Sequence, residues 1–154
     1  MRTGDAAPDF DLPTQDGSRF KLSEALQEGP VVLFFYPQAM TPGCTKESCH
    51  FRDLAAEFGA SGAQRVGISA DAVAKQEKFA DRHGFDFPLL SDTDRTVAKA
   101  FGVKRPGPLP NARATFVIAE DGTVLEVIKS EISMDSHADK ALAALADHKA
   151  GAGA

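Results

Sequence analysis

The sequence predicts an α/β fold in which helices cover both faces of a β-sheet. Three observations carry this expectation. Strand-like and helix-like segments alternate between Val31 and Phe101, which implies a mostly parallel sheet. Val31 to Tyr36 is a continuous apolar run stopped by Pro37, the pattern of a strand buried on both faces. Asp16-Gly17 and Asp121-Gly122 each separate two extended segments, as hairpin turns do.

Each element follows in chain order. Phe10-Asp11-Leu12 and Arg19-Phe20-Lys21-Leu22 flank the first turn and form an N-terminal hairpin extension. After the Val31–Tyr36 strand, a helix starts with Thr41 as N-cap and Pro42 as first helical residue. Phe51, Leu54, Ala55 and Phe58 give it one apolar face, and Gly59 is expected to end it. Gln64 to Ser69 reads as a second strand. Ala72 to His83 reads as a helix closed by Gly84. Phe87 to Leu90 suits a short strand and Thr96 to Phe101 a short helix. Arg105-Pro106-Gly107-Pro108-Leu109-Pro110 excludes regular structure. Arg113–Ile118 and Thr123–Ile128 form the second hairpin. Ala138, Ala141, Leu142 and Leu145 give a last helix its apolar face. The Phe10, Phe20, Phe34, Phe35, Phe51, Phe58 and Phe116 rings read as core.

The 154 residues argue for one domain over 1–154, with residues 150–154 as a flexible tail. A net charge of −5 argues against a nucleic-acid partner, which calls for a clustered basic surface. No run approaches the roughly 20 apolar residues of a membrane span. Met1-Arg2-Thr3-Gly4-Asp5 has no apolar core, so a cytoplasmic location is expected. In a reducing compartment the two cysteines read as catalytic or redox-active rather than structural. His50, His83, His137 and His148 are dispersed, so no zinc site is expected.

Cys44 is the most informative residue. It falls in the first turn of a helix that leaves a buried strand, where unpaired backbone amides favour a thiolate. Ligands of such sheets sit beyond the carboxyl ends of the strands, where Tyr36 to Cys44 lies. Cys49 follows five residues later. A thiolate with a second thiol nearby is the minimum equipment for reversible sulfur oxidation. Five helical residues turn a side chain by about 140° and rise about 7.5 Å. That separation exceeds the Cα reach of a disulfide, about 7 Å, so the pair cannot close while the helix is intact.

The chain resembles the peroxiredoxin family, in its bacterioferritin-comigratory or peroxiredoxin Q branch. The match runs through Gly4-Asp5-Ala6-Ala7-Pro8-Asp9-Phe10, Phe34-Phe35-Tyr36-Pro37 and Thr41-Pro42-Gly43-Cys44-Thr45. It continues over Glu47, Cys49 and Phe51-Arg52-Asp53, then Arg113-Ala114-Thr115-Phe116-Val117-Ile118 and Asp121-Gly122. The resemblance implies a thioredoxin-like fold with a central mixed sheet, and thiol-dependent reduction of hydrogen peroxide and organic hydroperoxides without cofactor or metal. It matches the peroxidatic cysteine to Cys44 and the resolving cysteine to Cys49. The supporting proline, threonine and arginine match Pro37, Thr41 and Arg113. It also implies a dithiol partner such as thioredoxin. Pro108-Leu109-Pro110-Asn111-Ala112 departs from the family pattern, which points to altered substrate access or partner docking in the Pro106–Ala112 loop.

Within that resemblance the Gly43 and Cys44 amides, the Thr41 hydroxyl and the Arg113 guanidinium are expected to hold the peroxide oxygen. Pro37 shields the sulfur from water. Glu47 lies on the helix face of Cys44 and suits two roles equally, orienting Arg113 by a salt bridge or a capping-box-like contact near the helix start. Cys49 suits a resolving thiol or a spectator. His50 suits a solvated helix position, and His137 and His148 suit ordinary helix ends. An intramolecular cysteine pair makes a dimer unnecessary, so a monomer is expected. Two other functions remain open: a thiol–disulfide oxidoreductase, which would place its cysteines two residues apart, and a non-catalytic redox sensor.

Overall fold

The computed structural model describes residues 1–152. A two-stranded antiparallel hairpin opens the chain, β1 (Asp11–Pro13) paired with β2 (Arg19–Lys21). Its turn uses Gly17 at φ 83°, a conformation that costs glycine little. Leu22 does not extend β2. It starts a short helix α1 (Leu22–Ala25), with Leu22 and Ala25 buried.

The main sheet has the order β5-β4-β3-β6-β7. Central β3 (Val31–Phe35) is fully buried, as its unbroken apolar run requires. It pairs in parallel with β4 (Gln64–Ser69), which pairs in parallel with β5 (Leu89–Ser91). On its other side β3 pairs antiparallel with β6 (Ala114–Ile118), which pairs antiparallel with β7 (Val124–Lys129). The sheet is therefore evenly mixed rather than mostly parallel. Strand–helix alternation stops at the Asp121-Gly122 hairpin, and a two-residue turn can only join antiparallel strands.

Helices α2 (Pro42–Asp53), α3 (Ala55–Ser61), α4 (Val73–His83) and α6 (Met134–Ala152) share one face of the sheet. The hairpin, α1 and α5 (Thr96–Ala100) cover the other. The seven phenylalanines expected in the core are all buried there. On the α2 face, Phe34 and Phe51 stack with centroids 4.1 Å apart.

The helix after Cys44 does not run unbroken to Gly59. It breaks at Leu54 (φ −95°, ψ 22°) and resumes as α3, which ends at Gly62 in the left-handed region. There the Ala63 amide donates back to the Phe58 carbonyl. Ending at Gly62 keeps Phe58 inside α3, buried against Phe51 with centroids 5.7 Å apart. β5 starts two residues later than Phe87, and α4 ends at Gly84 as expected. α6 continues through Ala152, so the expected tail at 150–154 is helical as far as that residue; residues 153–154 lie outside the described residues. No described helix is long and apolar enough to cross a membrane.

Candidate active site

The site forms where β3 ends. Tyr36 extends the strand, its amide donating to the Ile68 carbonyl at 3.1 Å. Its hydroxyl donates to Gln76 Oε1 at 2.5 Å, tying the strand end to α4. Half-buried Pro37 then turns the chain. The following loop is pinned from outside, because the Ala39 amide donates to Asp71 Oδ2 at 2.7 Å. Asp71 is held in turn by the Ser69 hydroxyl at 2.6 Å and by Lys75 at 3.1 Å. Met40 has φ 67°, unusual for a residue with a Cβ, and the pinned loop sustains it.

Thr41 is the N-cap residue in position but not in hydrogen bonding. With ψ at 155° its side chain turns back into the loop, and its hydroxyl donates to the Gln38 carbonyl at 2.7 Å. The expected side-chain cap on the helix is absent. The first intrahelical bond runs from the Thr45 amide to the Thr41 carbonyl at 2.9 Å. The Gly43 and Cys44 amides therefore precede the helix ladder and have no intrahelical acceptor.

Cys44 is fully buried on the inner side of α2. Arg113 reaches it from the sheet. The antiparallel register pairs Ala114 with Phe35, so the residue before Ala114 stands beside the end of β3. Arg113 Nη2 donates to Cys44 Sγ at 3.3 Å, and Nη1 donates to Glu47 Oε1 at 2.8 Å. Gly43 sits against the same guanidinium: a Cβ there would lie 3.3 Å from Nη2. The Arg113 backbone is fixed by its amide donating to Glu131 Oε1 at 3.0 Å, and Glu131 also pairs with Arg105. Arg105, just before the Pro106–Ala112 loop, therefore shares Glu131 with the Arg113 backbone, while Arg95 braces the loop itself by donating to the Leu109 carbonyl.

Of the two roles open to Glu47, the geometry selects the ion pair with Arg113. Both side chains are buried, at 0% and 7% exposure. Burial pushes the Glu47 carboxyl up to about 8, opposed by the Arg113 charge. Burial works against the Arg113 cation as well, but Glu47 and Cys44 together hold it above its ordinary value.

Sequence reading missed His137. It is not an ordinary helix-end residue: it is fully buried. Nδ1 lies 2.8 Å from Thr115 Oγ1, Nε2 lies 2.9 Å from the Ser130 carbonyl, and Nδ1 is 3.5 Å from Glu47 Oε2. A signal was available, because His137 precedes Ala141 and Leu145 by four and eight residues and shares their buried stripe. His50 pairs with Asp139 of α6 at 2.8 Å and is only partly exposed. Cys49 is not brought to Cys44. Both are free thiols on one continuous helix, Cys49 half-buried, and burial raises its thiol while Arg52 opposes.

A buried thiol facing a guanidinium at a helix start, with amides left over, is built to stabilise negative charge on sulfur and on an oxygen beside it. Residues 3–127 match the AhpC/TSA family. The chain belongs to that family. A Mycobacterium tuberculosis protein carrying a peroxiredoxin name is 64% identical over 148 residues, spanning 94% of this chain and 96% of its own. The solved structure of peroxidoxin BcpB from Mycobacterium tuberculosis superposes with a TM-score of 0.93 at 61% identity, covering 96% of this chain and 97% of that one. Xanthomonas campestris peroxiredoxin Q gives a TM-score of 0.84 at 34% identity and covers 90% of each chain. The fold is thioredoxin-like, as the family resemblance implied, and the chain is an enzyme of the peroxiredoxin class, a thiol peroxidase.

Proposed function

We propose that this chain reduces hydrogen peroxide and small organic hydroperoxides with Cys44 as attacking thiolate and Cys49 as resolving thiol. The observation that carries the reading is the Arg113 bridge, which joins Cys44 Sγ at 3.3 Å to Glu47 Oε1 at 2.8 Å inside the protein. A fixed cation of this kind favours charge on sulfur and costs no reorganisation during reaction. A Xanthomonas campestris bacterioferritin comigratory protein similar to this chain is described with alkyl peroxide reduction activity, which supports the organic substrates.

In the first step Cys44 Sγ attacks the terminal peroxide oxygen. The S–O bond forms as the O–O bond breaks; the attacked oxygen stays on sulfur with its hydrogen as sulfenic acid, and the other oxygen departs as alkoxide or hydroxide, which takes a proton from solvent to give alcohol or water. Arg113 and the Gly43 and Cys44 amides receive the developing charge. Thr41 contributes its oxygen lone pairs, since its proton is committed to the Gln38 carbonyl. Pro37, in the turn between β3 and α2, adds no amide donor to compete for the sulfur. In the second step the first turns of α2 unwind and Cys49 attacks the sulfenic sulfur. The S–S bond forms and water departs. A dithiol protein of the thioredoxin kind then exchanges with the disulfide and returns both thiols. Because the disulfide closes within one chain, a monomer suffices, and a reducing compartment such as the cytoplasm suits the cycle.

Peroxide consumption coupled to thioredoxin and its reductase tests the reading, with wild type, Cys44→Ser and Cys49→Ser run side by side. Cys44→Ser is expected to abolish turnover. Cys49→Ser is expected to retain one stoichiometric turnover, form no intramolecular disulfide and stop. Rapid insulin reduction with negligible peroxide consumption would instead make the chain a thiol–disulfide oxidoreductase. A single turnover in wild type with reductant present would make it a redox sensor.

A further inference from the structure

The Glu47 carboxylate is only half used. Oε1 accepts from Arg113, whereas Oε2 is buried without a hydrogen-bond partner. An orphan oxygen on a buried carboxylate is costly and calls for an explanation. The polar atom facing it is His137 Nδ1 at 3.5 Å, on a ring with no exposure to solvent. We propose that His137 is a positioning residue that governs the Arg113–Cys44 contact through Glu47. The proposal rests on Cys44 being the reactive sulfur.

The hydrogen-bond pattern gives the mechanism. The Ser130 carbonyl can only accept, so Nε2 carries a proton and donates to it at 2.9 Å. In the neutral ring Nδ1 is then an acceptor, and the Thr115 hydroxyl donates to it at 2.8 Å. Two acceptors, Nδ1 and Glu47 Oε2, consequently face each other. A proton gained by Oε2 gives that oxygen a donor aimed at Nδ1, the Thr115 hydroxyl turning aside to yield the lone pair. With that proton present, Glu47 pulls less strongly on Nη1 and the guanidinium charge is concentrated on Cys44. With it gone, the full carboxylate competes with Cys44 for the same cation. The charged groups bearing on His137 are Glu47 from α2, Arg113 from the edge of β6, Glu131 from the loop after β7 and Lys140 on its own helix. Burial lowers the histidine below its ordinary 6.5 and raises the glutamate to about 8, which reverses their usual order, so the shared proton rests first on Glu47 Oε2 and points at Nδ1.

The test follows the pH dependence of Cys44 alkylation by iodoacetamide in a Cys49→Ser background, alongside single-turnover peroxide reduction. His137→Asn retains a polar group at Nδ1 but removes the titration; His137→Gln serves if that variant folds poorly. Glu47→Gln is expected to remove one inflection from the alkylation profile. His137→Asn is expected to move that inflection down by about one pH unit, because the protonated carboxyl loses the acceptor that favours it, and to have no further effect on the profile in the Glu47→Gln background. The imidazole resonances of His137, followed by NMR, should report an inflection near pH 8 in wild type, from the Glu47 proton facing Nδ1, that is absent in Glu47→Gln. A His137→Asn profile that superimposes on wild type after uniform scaling, or a histidine titration indifferent to Glu47→Gln, overturns the proposal. Peroxide reduction no faster than that of free cysteine would defeat the assigned function. The alkylation profiles and the histidine titration would still decide the coupling.

Discussion

Arg113 Nη2 donates to Cys44 Sγ at 3.3 Å across 69 positions of chain. The contact exists because β6 runs antiparallel to β3 and delivers the residue before Ala114 to the strand end that launches α2. The other nitrogen of the fork, Nη1, is held by Glu47, so the geometry uses the planarity of guanidinium and not its charge alone.

Arg113→Lys keeps a cation but cannot reach Cys44 and Glu47 at once. The second-order rate constant for peroxide is expected to fall by about 10²-fold or more, the range seen when a preorganised charge-stabilising donor is removed. Stopped-flow oxidation of the reduced protein measures it. A loss under threefold would show that charge alone suffices.

Glu47 links the site to stability. Its folded-state value, about 8, lies above the ordinary 4.5, so the native state holds a proton that the unfolded chain releases. Stability from this group is present below about pH 4.5 and is lost as pH rises through about 8, by at most about 1.4 kcal/mol per unit. Urea midpoints at several pH values should decline less steeply for Glu47→Gln than for wild type. Parallel curves would contradict the assignment.

Ser48, in the middle of α2, is fully buried and its hydroxyl has no partner. Ser48→Ala removes that unsatisfied group and should stabilise α2 by about 1 kcal/mol. A stiffer helix unwinds less readily, so Cys44–Cys49 disulfide formation should slow and sulfinic acid should accumulate at high peroxide. Mass spectrometry after a peroxide pulse gives the ratio. An unchanged ratio despite a raised melting temperature would detach resolution from α2 unwinding.

Asp71, two residues past the end of β4, anchors the thiol loop through the Ala39 amide at 2.7 Å. Asp71→Ala leaves that amide unpaired and frees the Pro37–Met40 segment. Peroxide reactivity is expected to drop about tenfold, because catalytic positioning tolerates little displacement. A parallel fall in melting temperature with unchanged reactivity would make Asp71 a stabilising residue only.

Local pattern carried much of this in advance. An apolar run, two Asp-Gly turns and a glycine after His83 place β3, both hairpins and the end of α4, because these signals act within a few residues. Thr41-Pro42 located the start of α2, and the phenylalanines marked the core. The Leu54 break and the Gly62 terminus were not legible, since they depend on how Phe58 meets Phe51.

The sequence by itself singled out the residues proposed to carry the chemistry: a cysteine in a helix's first turn, a second thiol five positions on, and one arginine that the family pattern points to. Tertiary structure alone decided what surrounds them. Strand register set the Arg113–Cys44 distance, and helix packing chose the ion pair for Glu47 and drew His137 into the interior. The physical reason is one of range. Caps and periodicity are local interactions, whereas a buried charge finds its partner only after distant segments have excluded water around it.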